Sequence, residues 1–211
     1  MIPEHPLTFG GGTLPRLQAA LFLSAEASGG VVVCHPHPQY GGDMDSAVVV
    51  AVTQACARQR LAALRFNFRG VGASGGAWDD GRGEQDDVRA ALAHLRSLLR
   101  PPARVALAGY SFGAAMAAAV ARAGEALDGL ALIAPPLATR PLAAPAPVIE
   151  GPVLVVAGSR DTYCPSSALA GLARSWPGAT ITVIDGADHF FSGGLEALDA
   201  ALTDWTGRLP R

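Results

Sequence analysis

A serine, an aspartate and a histidine follow one another in this sequence at places where they could activate a hydroxyl for attack on a carbonyl. Gly109-Tyr110-Ser111-Phe112-Gly113 fits G-x-S-x-G. It falls where an apolar run over 105–108 gives way to an alanine-rich helical stretch over 112–123. A tight strand–turn–helix junction forces its serine into a strained backbone conformation and exposes the hydroxyl above the sheet edge. Glycines at 109 and 113 permit close approach of strand and helix. The Phe112 N–H, at the helix N-terminus, is then aimed at a developing oxyanion. The plainer reading is a Gly-rich turn with a spectator serine, in a chain that holds 25 Gly.

A serine hydroxyl needs a base, and the base needs a carboxylate to orient it. Where the nucleophile sits on such an elbow, the partners follow in the order Ser, Asp or Glu, His. His189 is the one histidine downstream of Ser111, and it lies in a loop before the last helical stretch. Asp161 follows its own buried strand, over 153–157, at the sheet edge where open α/β sheets form their sites. Asp188 adjoins His189 and suits a turn or an N-cap, since neighbouring side chains in extended backbone diverge. Asp185 is the remaining alternative for the acid.

A second oxyanion donor is expected from the loop after the strand over 31–33, which reads Cys34-His35-Pro36-His37-Pro38-Gln39-Tyr40-Gly41-Gly42. Pro36 and Pro38 have no N–H. Spacing favours the His37 N–H, with Gln39 or Tyr40 in reserve. The rival use of this loop is a metal site from His35 and His37 with Asp43 or Asp45. A His-x-His pair with no further nitrogen ligand nearby is weak support for it, and no metal or other cofactor is expected. Gly70-Val71-Gly72-Ala73-Ser74-Gly75 matches G-x-G-x-x-G after a strand. Its helix starts too late for a dinucleotide site, so a structural turn beside the site is expected. Cys34, Cys56 and Cys164 are odd in number and widely spaced, which suggests neither a disulfide framework nor a zinc ribbon.

These residues need a scaffold, and the patterning describes one. Strands are expected over 17–22, 31–33, 64–67, 105–108, 130–133, 153–157 and 180–184. Helices are expected over 46–60, 84–99, 112–123, 167–176 and about 195–206. Residues 7–13 can add an antiparallel edge strand. Strand–helix alternation calls for a mostly parallel sheet with helices on both faces. The Pro- and Ala-rich connection over 135–152 is too short and too rich in proline for a helical cap, which leaves an open site.

Composition narrows the remaining choices. A chain of 211 residues suits one α/β domain over 1–211. Half its residues are hydrophobic, so a large core is affordable. All 16 basic residues are Arg, and without lysine there is no Schiff base and no Walker-type phosphate loop. The net charge of −2 argues against nucleic acid as a partner. With no apolar run of about 18 residues and no basic–apolar leader, neither a membrane span nor a signal peptide is expected, and the compartment reads as cytoplasmic.

The ordered set His35-Pro36-His37-Pro38 with Gly41-Gly42, then Arg65-Phe66-Asn67-Phe68-Arg69-Gly70-Val71-Gly72-x-Ser74-x-Gly76, then the elbow, then Asp188-His189-Phe190-Phe191, resembles small cap-less bacterial α/β-hydrolases related to dienelactone hydrolases. The resemblance implies the α/β-hydrolase fold and a Ser111–His189–Asp161 triad with esterase-type chemistry on a small ester-like substrate. Dienelactone hydrolases proper carry cysteine at the elbow, and Ser111 departs from that. Tyr40, Trp78, Tyr163, Phe190 and Phe191 are candidate walls of the substrate site. Acyl transfer to another acceptor, peptide hydrolysis and a non-catalytic binding module of the same fold are the alternatives, in a monomer or homodimer.

Overall fold

In the computed structural model, which describes residues 3–25, 27, 29–142 and 146–210, eight strands form one sheet. In chain order they are β1 (His5–Gly10), β2 (Arg16–Phe22), β3 (Gly29–Cys34), β4 (Ala62–Phe66), β5 (Arg104–Tyr110), β6 (Leu130–Ile133), β7 (Val153–Gly158) and β8 (Ala179–Ile184). The order across the sheet is β1-β2-β4-β3-β5-β6-β7-β8. The six strands from β4 to β8 run parallel; β2 is antiparallel to β4, and β1 to β2. The expected edge strand is therefore present, and it is joined to the parallel sheet through a second antiparallel pairing.

Five helices cover the sheet: α1 (Ala47–Arg58), α2 (Arg82–Leu98), α3 (Phe112–Arg122), α4 (Ser166–Ser175) and α5 (Leu195–Gly207). Side chains alternate across each strand with period two, which sorts the core into two layers. Val32 and Leu107 face the layer of α2, α3 and α4, with Val88, Leu92, Met116 and Leu169. Val31, Val33 and Ala106 face that of α1 and α5, with Val49, Val52, Leu198 and Trp205. A strand buried on both faces reads as a continuous apolar run, which is why β3 is legible as Val31-Val32-Val33. The strand extends beyond the expected 31–33, from Gly29 to Cys34. A Cβ on Gly30 would press on Ala62 and on the Leu95 side chain, so glycine lets α2 approach closely here.

The glycine-rich loop after β4 is a brace. Ser74 Oγ donates to the Asn67 carbonyl (2.7 Å) and accepts the Gln18 N–H (2.9 Å), and the Gly75 N–H donates to the Arg16 carbonyl (2.8 Å), so the loop folds back on β2. Arg69 forms a bidentate pair with the fully buried Asp87 of α2. Glu84 accepts the N–H groups of Asp79 (2.9 Å) and Gly81 (2.8 Å). α2 begins only at Arg82, so no helix N-terminus meets the glycines.

Strand order reverses between β3 and β5, and loops leaving the two strands diverge there. Ser111 follows β5 and His35 follows β3, at the carboxyl edge of this switch point. The connection from β6 to β7 holds no helix among its described residues. No helix among the described residues is long and apolar enough to cross a membrane.

Candidate active site

Ser111 sits between β5 and α3 with φ 54° and ψ −115°, a combination that side-chain-bearing residues rarely adopt. The elbow is tight. A Cβ on Gly109 would run into the Gly113 carbonyl, and one on Gly113 into the carbonyls of Cys34 and His35. The turn is pinned by the Ser111 N–H, which donates to the Ile133 carbonyl at 2.8 Å.

Two loops deliver the other members. His189 Nε2 lies 2.9 Å from Ser111 Oγ, and His189 Nδ1 lies 2.8 Å from Asp161 Oδ2. The second carboxylate oxygen, Oδ1, accepts the N–H groups of Tyr163 (2.8 Å) and Cys164 (3.0 Å). Both oxygens are thus acceptors, which makes His189 Nδ1 the donor and leaves Nε2 with a lone pair for the serine proton. All three residues are buried, Asp161 most of all. The Tyr110 hydroxyl donates to the His189 carbonyl at 3.0 Å, an anchor that sequence reasoning missed. Burial, aided by the charges of Asp161 and Asp188, pushes the Tyr110 phenol well above its ordinary range, so it remains a donor.

The alternatives for the acid are occupied elsewhere. Asp188 Oδ1 accepts the N–H groups of Phe190 (3.0 Å) and Ser192 (2.9 Å), as a turn former does. Asp185 accepts from Ser159 Oγ at 3.1 Å.

Among the described residues, no acceptor in the protein engages the N–H of Phe112 or of His37. Phe112 opens α3, where the first N–H groups lack partners within the helix. The reserve donors are spent: the Gln39 N–H donates to His37 Nδ1 (3.3 Å) and the Tyr40 N–H to the His37 carbonyl (3.1 Å). His35 Nδ1–H donates to the Pro36 carbonyl at 2.6 Å, while its Nε2 accepts the Phe68 N–H at 3.0 Å. A trans peptide points its C=O and N–H in opposite directions. Holding the Pro36 carbonyl toward His35 therefore turns the His37 N–H away from it.

With both ring nitrogens engaged, His35 offers no lone pair to an ion, and among the described residues no three His, Cys, Asp or Glu side chains converge as a metal site. Burial lowers the His35 pKa from 6.5 to about 4, against weaker opposing effects of the Pro36 hydrogen bond and the Asp43 charge. Between those values the unfolded chain binds a proton that the native protein excludes, so stability is complete above pH 6.5 and falls as pH drops. The expected loss from this group is about 2 kcal/mol at about pH 5 relative to pH 8. Urea unfolding of native and His35→Gln protein at both pH values checks this. His37 and His94 titrate in the same direction, and the variant isolates the His35 share.

Ser111 and His189 open onto a cleft of roughly 750 Å³. Tyr40, Tyr163 and Phe190 line it and are 86%, 48% and 68% exposed. Trp78 stands behind it instead. Its ring packs 4.8 Å from His37 and 5.0 Å from Phe112, so it supports the two residues with free N–H groups and does not form a wall. Phe191 is fully buried in the core layer of α1 and α5; its φ of 56° turns the chain so that Phe190 faces out and Phe191 in. Cys34 and Cys164 are buried thiols, Cys34 pushed far up in pKa and Cys164 up to about 12, chiefly by burial, so both are packing residues. Sequence reasoning overlooked Pro136, Thr139 and Arg140, which reach the cleft from a connection without periodicity. A groove of roughly 940 Å³ lies beside Arg104, at the opposite end of β5 from Ser111.

Comparison with known proteins agrees with this architecture. Residues 30–197 match the alpha/beta hydrolase domain model. An uncharacterized protein of Rickettsia prowazekii is 31% identical over 185 residues, covering 82% of this chain and 76% of that protein. A serine hydrolase of Xanthomonas campestris described as lacking a lid superposes with a TM-score of 0.87 at 32% identity, covering 99% of this chain and 96% of that one. An alpha-beta serine hydrolase homologue from Coxiella burnetii gives 0.84 at 31% identity, covering 95% and 96%. On the elbow, the sheet order and this match over most of its length, the chain belongs to the α/β-hydrolase family.

Proposed function

We propose that this protein is a serine hydrolase, a carboxylesterase that uses Ser111 as nucleophile, His189 as base and Asp161 as orienting acid. The observation that carries the reading is the unbroken chain of hydrogen-bonding distances, 2.8 Å and 2.9 Å, from Asp161 through His189 to Ser111. His189 Nε2 takes the Ser111 proton as Oγ attacks the ester carbonyl. Asp161 holds the ring in the Nδ1–H form and stabilises the imidazolium that results. The N–H groups of Phe112 and His37 receive the oxyanion; each such donor is worth about 2.7–4 kcal/mol of barrier. His189 then gives its proton to the departing alkoxide. Water, deprotonated by His189, attacks the acyl-enzyme, and collapse of the second tetrahedral intermediate returns the proton to Ser111.

The cleft is lined by Tyr40, Tyr163 and Phe190 and, among the described residues, has no helical cover. Such a site holds a short acyl group against aromatic rims and offers a long chain nothing to bury against. Expected, therefore, is a kcat/KM that is highest for p-nitrophenyl acetate to butyrate and falls by about tenfold or more at decanoate and beyond. A rate rising steadily with chain length contradicts the open-cleft reading. Adding hydroxylamine or an alcohol separates hydrolysis from transfer to another acceptor, which the same triad would serve.

A further inference from the structure

We propose that Arg140 is the anion-binding residue of the cleft and selects ester substrates whose acyl part carries a carboxylate. The inference rests on the Ser111 hydrolase reading and names its substrate class.

Arg140 is the one guanidinium lining the cleft among the described residues. Among the described residues, its guanidinium donors have no hydrogen-bond acceptor. Its nearest carboxylate, Asp80, is 3.9 Å away, beyond hydrogen-bonding distance, on a side chain 73% exposed, and such a pair is worth little. The guanidinium instead lies over the Phe112 ring, 5.5 Å from its centroid, with Nη1 against the backbone of Gly81 and the side chain 41% exposed, so its donors retain unmet hydrogen-bonding capacity for a ligand. The acids that line the cleft are differently placed. Asp45 is paired with Arg65, and Asp43 accepts the Asp45 N–H at 2.9 Å.

The turn that presents Arg140 is anchored. Its N–H donates to the Pro136 carbonyl (2.8 Å), the Ala138 N–H donates to the Tyr163 carbonyl (2.9 Å), and Leu137 is buried in the core. Through Tyr163, whose N–H donates to Asp161, the turn is tied to the same loop that holds the triad acid. The guanidinium is therefore held at the cleft wall, over the residue whose N–H faces the reacting carbonyl. Its charge reaches the far wall as well, since after burial it is the main influence lowering the pKa of His37. A planar, permanently charged fork in this position matches a carboxylate in two-point geometry.

The test compares monomethyl adipate with its uncharged carboxamide analogue, methyl 5-carbamoylpentanoate, as a ratio of kcat/KM. The native ratio is expected to favour the carboxylate by about tenfold or more, to drop at least about tenfold in Arg140→Gln, and to drop less in Arg140→Lys, which keeps the charge and loses the fork. A general structural effect lowers both substrates together and leaves the ratio alone. A native ratio near one, or a ratio unaltered in Arg140→Gln, overturns the proposal. Calorimetric binding of monomethyl adipate to Ser111→Ala and to Ser111→Ala/Arg140→Gln reads the subsite without turnover, with at least about tenfold weaker binding expected in the double variant. If native and Ser111→Ala proteins turn over equally while that binding contrast holds, the hydrolase reading fails and the anion site stands. If turnover depends on Ser111 and the contrast is absent, the reverse is true.

Discussion

Ser111→Ala is expected to lower kcat about a millionfold on any ester that the native protein turns over, with the fold intact. The fold survives because, among the described residues, the one partner of Ser111 Oγ is His189 Nε2. The contacts that build the elbow are backbone ones, from the Ser111 N–H to the Ile133 carbonyl and from the Ala114 and Ala115 N–H groups to the Ser111 carbonyl. Alanine retains all of them at the same positive φ. A residual rate about 10³–10⁴-fold above the uncatalysed reaction should remain, from the oxyanion donors and binding alone. Steady-state kinetics beside a thermal melt checks both halves. A fall of less than about tenfold in kcat, in a folded variant, removes Ser111 from the mechanism.

Asp161→Asn is expected to lower kcat by about 10⁴-fold while KM and the melting temperature change little. The reason is a matter of donors and acceptors. Asp161 Oδ1 accepts two N–H groups, from Tyr163 and Cys164, and only the amide oxygen of asparagine can take its place. The amide NH₂ is then turned toward His189 Nδ1, 2.8 Å away in the native protein. An NH₂ can donate there but not accept, so the imidazole must carry its proton on Nε2. An Nε2–H cannot take the serine proton. The substitution is isosteric and keeps the backbone hydrogen bonds, so the loss falls on kcat. A KM effect without a kcat effect would show that Asp161 shapes the cleft and does not orient the base.

Much of this site is legible in the sequence because its signals are local. Gly109 and Gly113 flank Ser111 at a spacing that has a steric cause, the clash of any Cβ with the Gly113 carbonyl or with the carbonyls of Cys34 and His35. The three members of the chain Ser111, His189 and Asp161 each follow a strand end, and parallel strands bring their carboxyl ends to one edge. Core strands are legible for the same kind of reason, since β3, β6 and β7 are buried on both faces and read as unbroken apolar runs.

What escapes is whatever depends on contacts far apart in sequence. Phe190 and Phe191 are alike in type and adjacent, and only the backbone turn at 191 decides which faces the cleft. Trp78 carries no sign of whether it will line the site or back it; that depends on where His37 and Phe112 stand. The polar brace of Gln18, Asn67, Arg69 and Asp87 joins β2, a loop and α2 across dozens of residues. Arg140 lies in a Pro- and Ala-rich connection with no periodicity, and a guanidinium there reads as solvated surface. Its role depends on Leu137 and Tyr163 anchoring the turn.

The most direct measurement is covalent. A fluorophosphonate reacts with a serine hydroxyl only when an adjacent base draws off its proton and oxyanion donors hold the phosphoryl oxygen, so it reads the geometry and the chemistry together. Treatment of the native protein followed by peptide mass analysis should place one phosphonyl adduct on Ser111, with labelling at least about a thousandfold slower in His189→Ala. An unlabelled native protein, or an adduct that forms at the native rate without the imidazole of residue 189, would contradict the account.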